Sequence, residues 1–415
     1  MNASRSTHSP SVPPMATDPR FAGLVEAARA LQPRTVALRR KIHKFPERGL
    51  NLPGTQASVM HALDGLGIQV MKGEKVSSVI AVLTGARPGP TVLLRGDMDA
   101  LPLQEDSGLS YASEVDGVMH ACGHDTHTAM LVSAARLLTS RKEALAGRVV
   151  FMFQPGEEGY HGAKYMIDEG ILDAGGRPIE RAFALHITAT DTSGVIRSKA
   201  GAMLAAADNF VVRITGRGGH GAIPHDALDP VPAAAAIVGA LQTMVTRHIS
   251  VFEPVVVTVG RLTAGTTSNI IPETAELEGT FRSLSEASRA KVREELPKLC
   301  HHVAASYGCT AEVDLHQGYP VTVNDDVIGP HVVELAGAVL GQRYAAPMPT
   351  PLMGAEDFSY VLQKVPGAFA FLGACPPGVE PADADPNHSN RVHFDESALA
   401  NGVAMYAAFA LDTLR

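Results

Sequence analysis

The sequence predicts an α/β layered domain interrupted by a smaller α+β domain of ferredoxin-like order. At 415 residues the chain exceeds what one core ordinarily organises, so two domains are expected. Short apolar runs bounded by Gly and Pro alternate with stretches of helical period over residues 18–200, and this character returns over residues 319–415. Between them, over residues 201–318, the order changes to β-α-β-β-α-β.

Residues 1–17 have no apolar core and read as a flexible tail rather than a secretory signal. Residues 21–44 carry apolar positions at Leu24, Ala27, Ala28 and Leu31, the spacing of a helix, with Pro33 as a kink. Residues 55–66 predict a second helix. Residues 79–83, 91–94 and 149–153 are apolar runs of buried-strand length. In the middle segment, residues 209–215 alternate like a half-exposed strand. An alanine-rich helix (230–248), strands at 255–261 and 274–282, a charged helix (286–306) and a strand at 310–315 follow. Residues 332–340 and 396–411 predict helices around a buried strand at 368–372. The larger domain is therefore discontinuous in sequence.

Composition excludes several classes. Hydrophobic residues make up 45% and charged residues 19%, as in a globular protein. A net charge of −8 and the lack of a basic stripe argue against nucleic acid. No apolar run is long enough to span a membrane. The four cysteines lack paired spacings, which points to a reducing, cytoplasmic setting.

The densest chemistry lies in His120-Ala-Cys-Gly-His-Asp-Thr-His127, which places imidazoles, a thiol and a carboxylate just before an apolar helix-like run. That donor mixture suits a borderline-soft divalent metal. Cys122 and His124 flank Gly123, which permits a strand-to-helix turn. His120 and His127 read as supporting or structural groups, and Asp125 as a carboxylate that orients an imidazole. Phe153-Gln-Pro-Gly-Glu-Glu-Gly159 puts adjacent carboxylates where an apolar run ends. In a site, one could ligate metal while the other took a proton from a metal-activated water; alone, the pair would be an ordinary acidic loop. His186 and His388 each stand at an apolar segment's end or in a polar turn. Asp97 and Asp99 alternate at a strand end and project to one side, either toward the metal site or to cap a turn.

Together the segments Gly96-Asp-Met-Asp-Ala-Leu-Pro102, His120–Asp125, Gln154–Gly159, Leu185-His186 and Met353-Gly-Ala-Glu-Asp-Phe-Ser359 resemble, in order, the amidohydrolase branch of the aminoacylase/carboxypeptidase metallopeptidases. Hippurate hydrolase and indole-acetic acid–amino acid conjugate hydrolases typify that branch. The resemblance implies a zinc-peptidase-like catalytic domain with an inserted lid and dimerisation domain. It implies two divalent ions held by Cys122, His124, Glu158, His186 and His388, with Glu157 as the catalytic carboxylate. Zn2+ is expected first on softness, with Mn2+, Co2+ or Ni2+ as alternatives. Gly216–His225 resembles a lid loop whose His220 reaches an active site, in related dimers that of the partner subunit. Asn269 and Arg282 match substrate-carboxylate contacts, a task suited to a guanidinium fork. Pro46-Glu-Arg-Gly49 and Ile187-Thr-Ala-Thr-Asp191 depart from the family pattern at possible pocket walls.

The expectation is thus hydrolysis of N-acyl amino acids by a homodimer or dimer-based oligomer. A dipeptidase or carboxypeptidase of the same superfamily is the alternative. A noncatalytic metal-binding protein is the remaining rival, and a spare Glu157 beside a ligand argues against it.

Overall fold

The computed structural model describes residues 18–415; the tail expected over residues 1–17 lies outside the described residues. A 3-10 turn leads into α1 (Leu24–Lys44), and Pro33 sits inside this helix rather than ending it. α2 (Pro53–Leu63) begins on a proline, whose missing N–H is harmless in a first turn. β1 (Gln69–Lys72), β2 (Val79–Thr84), β3 (Arg87–Asp97), α3 (His124–Thr139), β4 (Ala146–Gln154), α4 (Gly162–Asp168) and β5 (Arg181–Thr188) follow. Short strands β6 (Ile196–Ser198) and β7 (Gly201–Leu204) close the first stretch.

The middle of the chain forms β8 (Ala206–Thr215), β9 (Gly219–His220), α5 (Pro230–His248), β10 (Val255–Ala264), β11 (Ile270–Ile271), β12 (Thr274–Ser283), α6 (Glu286–Ser306) and β13 (Thr310–His316). The return comprises β14 (Thr322–Asn324), α7 (Ile328–Leu340), β15 (Ala345–Pro347), α8 (Ser359–Leu362), β16 (Gly367–Gly373) and α9 (Leu399–Thr413).

The large sheet runs β1-β2-β4-β3-β5-β16-β6-β15. Its centre, β4-β3-β5-β16, is parallel. Alternate residues of these strands feed opposite cores. Leu94, Phe151, Phe183 and Leu185 pack with α1, α3, α7 and α9. Leu93, Val150, Met152 and Ala184 meet Met166 of α4 and Val361 of α8 on the other face. Burial on both faces explains why the strands read as unbroken apolar runs. α9 is buried from Leu399 to Asp412 and is apolar nearly all round, as a helix enclosed on every side must be.

The smaller sheet, β10-β12-β8-β13, is antiparallel and carries both α5 and α6 on one face. Phe210, Leu277, Ile237 and Leu296 lie in its core. The opposite face is polar, with Arg213 paired to Glu276 at 3.0 Å. β7 and β14 pair with each other outside this sheet. The short strands β1, β6, β7, β14 and β15 were not apparent in the sequence, because strands of this length carry too few residues to show a period. Among the described residues, no helix is long and apolar enough to cross a membrane.

A buried ionic network fastens α1 to α3. Arg39 Nε donates to Asp125 Oδ2 at 3.0 Å, and His43 Nδ1 meets the same oxygen at 2.9 Å. Arg39 also reaches Tyr111 and Glu396, while His43 Nε2 faces Glu105 at 3.2 Å. Burial alone would lower the pKa of His43, but Asp125 and Glu105 outweigh it and raise it to about 9. The bonus from charged His43 is therefore fully present below about pH 6.5 and lost as pH rises through about 9. It amounts to at most about 3 kcal/mol. His43→Gln should lower the melting temperature at pH 6.5, and the gap to wild type should narrow by pH 9.5. Melting curves of both proteins across that range check this.

Candidate active site

The site lies where the parallel strands end, at the carboxyl edge of the large sheet. Cys122 and His124 bracket Gly123, whose φ of 89° is left-handed. A Cβ there would come within 2.4 Å of Ile187 Cγ2, so the turn into α3 requires glycine. His186 projects from β5. Its Nδ1–H donates to the Ile187 carbonyl at 2.7 Å, which leaves Nε2 free, 3.3 Å from Cys122 Sγ. His388 Nε2 lies 3.3 Å from the same sulfur and 3.4 Å from Glu158 Oε1. Its φ of 71° is unusual for a residue with a side chain. Asn387 holds this turn in place by donating to the carbonyls of Cys122 and Ile187 and accepting from Ala189 N.

Two compact donor groups share the thiol: Cys122 with His124 and His186, and Cys122 with Glu158 and His388. His124 also stands with Glu157 and Glu158 in a further group. Both ring nitrogens of His124, and Glu158 Oε1, are buried without a hydrogen-bond partner. Buried imidazole, thiol and carboxylate lone pairs converging without protein partners fit divalent metal. The electrostatics agree. His388 is raised to about 10 by Cys122 and Glu158. His124 rises well above its usual range because Asp97 and Cys122 outweigh burial. The cluster thus favours positive charge.

Asp99 accepts from both Glu157 N at 2.9 Å and Glu158 N at 3.0 Å, so one carboxylate aims the whole acidic loop. Its Oδ1 is also 3.5 Å from His124 Nδ1. Asp97 Oδ1 accepts from His127 Nδ1 at 2.6 Å, and His127 Nε2 accepts from Ile187 N at 2.7 Å. With both nitrogens engaged, His127 is a neutral strut and not a ligand, although it lies near Asp97 and His124. Asp125 does orient an imidazole, but that of His43 in α1 and not that of a proposed ligand. His120 is buried beside His43 with neither nitrogen partnered, and burial lowers it to about 3.

Glu157 is buried, and its pKa is pushed well above the carboxylate range by burial and by Glu356, Glu158 and Asp357. Sequence reasoning assigned no role to Glu356 or Asp357, although both lie within one of the motifs that carry the resemblance. Nor did it single out Arg95, which donates to Glu356 Oε1 at 2.8 Å and Asp357 Oδ1 at 3.2 Å and pairs with Asp97 Oδ2 at 2.5 Å. The available signal was an arginine inside the apolar run Thr91-Val-Leu-Leu-Arg95. Tyr319 was also missed.

A cavity of about 440 Å³ opens over the cluster. Cys122, Glu157, Glu158, His186 and His388 line it, with Thr188, Leu204, Tyr319, Leu352, Glu356 and Phe371 among its walls. His220, Asn269 and Arg282 are absent from that lining. His220 in β9 is paired with Ile270, next to Asn269, whose carbonyl accepts from Gly221 N. Arg282, near the end of β12, is half-buried and makes no ion pair among the described residues.

Comparisons with known proteins agree with this geometry. The model of Peptidase family M20/M25/M40 matches residues 93–412. Thermostable carboxypeptidase 1 of Saccharolobus solfataricus is 37% identical over 387 residues, covering 92% of this chain and 96% of its own. N-acetyl-L-cysteine deacetylase of Bacillus subtilis is 36% identical over 347 residues, covering 83% of this chain and 81% of its own. Among solved structures, the YXEP protein of Bacillus subtilis, described as a dinuclear metal binding peptidase from the M20 family, superposes with a TM-score of 0.80 at 32% identity. That match covers 93% of this chain and 99% of the other. The chain belongs to Peptidase family M20/M25/M40 and is a metal-dependent hydrolase of amide bonds.

Proposed function

We propose that the chain hydrolyses the amide of N-acyl amino acids, releasing a carboxylic acid and a free amino acid. The observation that carries this reading is Glu157, buried at the cavity wall beside Glu158 and without an ion pair among the described residues. In this reading Cys122, His124, Glu158, His186 and His388 hold two divalent ions, with Cys122 common to both donor groups. Zn2+ suits a thiolate and imidazoles best, with Mn2+, Co2+ or Ni2+ as alternatives. Such ions supply Lewis acidity, polarising the scissile carbonyl and acidifying water. Glu157 takes the proton of the attacking water and returns it to the leaving amine nitrogen. Asp97 and Asp99 hold the surrounding groups in register.

The cavity walls favour an acyl group over a free N-terminus. Leu204, Leu352 and Phe371 offer apolar surface. Glu356, the wall carboxylate outside the proposed ligands and base, is already paired with Arg95 and so is not available to an ammonium. That argues against a dipeptidase. A carboxypeptidase differs only in taking a peptide as the acyl part, and the 37% identical carboxypeptidase relative favours keeping it as the second reading.

Asn269 and Arg282 would grip the substrate carboxylate, and His220 would reach an active site from its lid loop. Since they do not line this cavity, they act in this reading through closure of the inserted domain, residues 201–318, or in a partner subunit's site within a homodimer. A reducing, cytoplasmic setting accords with four cysteines that are all buried and unpaired.

Glu157→Gln should lower kcat by about 10²–10⁴-fold while bound metal, measured by elemental analysis, is retained. Normal turnover of acetyl- and benzoyl-amino acids by this variant would remove Glu157 from its role. Arg282→Ala should raise KM about ten- to hundredfold for substrates with a free α-carboxylate and leave their α-amides unaffected. Steady-state kinetics on matched acid and amide pairs decide this.

A further inference from the structure

The inserted domain joins the catalytic domain through two crossing segments, one at the passage from β7 into the first residues of β8 and the other just after β13. They touch closely. Ala207 N donates to the Tyr319 carbonyl at 3.0 Å, and a Cβ on Gly318 would come within 1.9 Å of the Ala207 carbonyl oxygen. Gly318 is tied to the inserted domain on both sides of its peptide. Its N–H donates to Asp208 Oδ1 at 3.1 Å, and Arg289 Nη2, itself paired with Asp208, donates to its carbonyl at 3.1 Å. The next residue, Tyr319, turns its side chain into the catalytic domain.

There its hydroxyl binds the backbone of the loop that carries the proposed base. Gly159 N donates to it at 2.7 Å, and it donates in turn to the Glu157 carbonyl. His161 N approaches it at 3.5 Å. Asp99 already fixes this loop from the other side through Glu157 N and Glu158 N. The loop is therefore clamped between a rigid strand end and the crossing segment of the inserted domain. Only the second of these anchors can move with that domain.

We propose that Tyr319 is a positioning residue that couples the placement of the inserted domain to the placement of Glu157. This rests on the assignment of Glu157 as the base. The backbone of Tyr319 follows the inserted domain through Ala207 and Gly318, and its hydroxyl carries that position to the Glu157 carbonyl. Loss of the hydroxyl frees the loop while keeping the ring in the wall of the cavity.

The test compares Tyr319→Phe, Asp208→Asn, the double variant and Glu157→Gln in the metal-loaded full chain. Tyr319→Phe should lower kcat about 10- to 100-fold, change KM less than about threefold and keep wild-type metal content. Hydrogen exchange should quicken in the peptide spanning residues 156–162 and stay unchanged in α5 and α6. Because Asp208 acts through the same path, the double variant should lose little more kcat than Tyr319→Phe alone. A Tyr319→Phe kcat within twofold of wild type, a loss explained by missing metal, unchanged loop exchange, or multiplicative losses in the double variant would overturn the coupling. An active Glu157→Gln would instead overturn the base assignment, so the two failures are told apart.

Discussion

A guanidinium with no access to solvent holds the acidic half of the site together. Arg95 leaves the apolar run of β3 and meets Asp97, Glu356 and Asp357, while Gln154 Oε1 accepts from its Nε. An isolated buried cation costs several kcal/mol, and so does each buried carboxylate. Neither side of this cluster would be tolerable alone. Asp97, relieved by Arg95, can accept from His127, and His127 in turn holds the Ile187 amide beside His186. Glu356 is paired with Arg95 too, yet burial and Asp97 still hold its pKa above the usual range beside Glu157.

The donor cluster is assembled from distant segments, so its accuracy depends on how each segment is pinned. The structure uses hydrogen bonds from side chain to backbone for this. Asp99 holds the acidic loop, Asn387 the turn bearing His388, and the Ile187 carbonyl the tautomer of His186. Each bond ties a loop to a strand end or helix start that the core already fixes. A loop left to water would pay for its ordering each time substrate bound.

Local density made much of this readable. Cys122, His124 and the Glu157-Glu158 pair sit in short stretches rich in donors, and the period of the flanking runs gave the elements that carry them. The order β-α-β-β-α-β was likewise legible, because each strand of the four-stranded sheet is long enough to alternate, whereas the two-residue β9 and β11 are not. What escaped was relational. Arg95 is bound to partners some 260 positions away, and nothing near it in sequence announces them. Asp125 lies within the densest motif yet faces α1, because the helical turn after His124 points it to the opposite side. Tyr319 stands in a connecting segment whose importance comes only from the crossing beside it.

The same charge balance decides what can occupy the centre. Asp97, Glu356 and Asp357 meet one guanidinium, with Glu157, Glu158 and Asp99 on the side of His124, so acidic groups outnumber it and the cluster draws further positive charge. Protons on His124 and His388 can provide it, which is why both imidazoles are held above their usual range while Glu158 is held below its own. Divalent ions compete for the same lone pairs, and each ion that binds must displace those protons. Were Glu157 the base proposed above, bound positive charge would bring it back toward a carboxylate able to accept a proton. The affinity of the cluster for cations and the protonation of Glu157 are in this way tied to one electrostatic arrangement, in which Arg95 already offsets part of the negative charge.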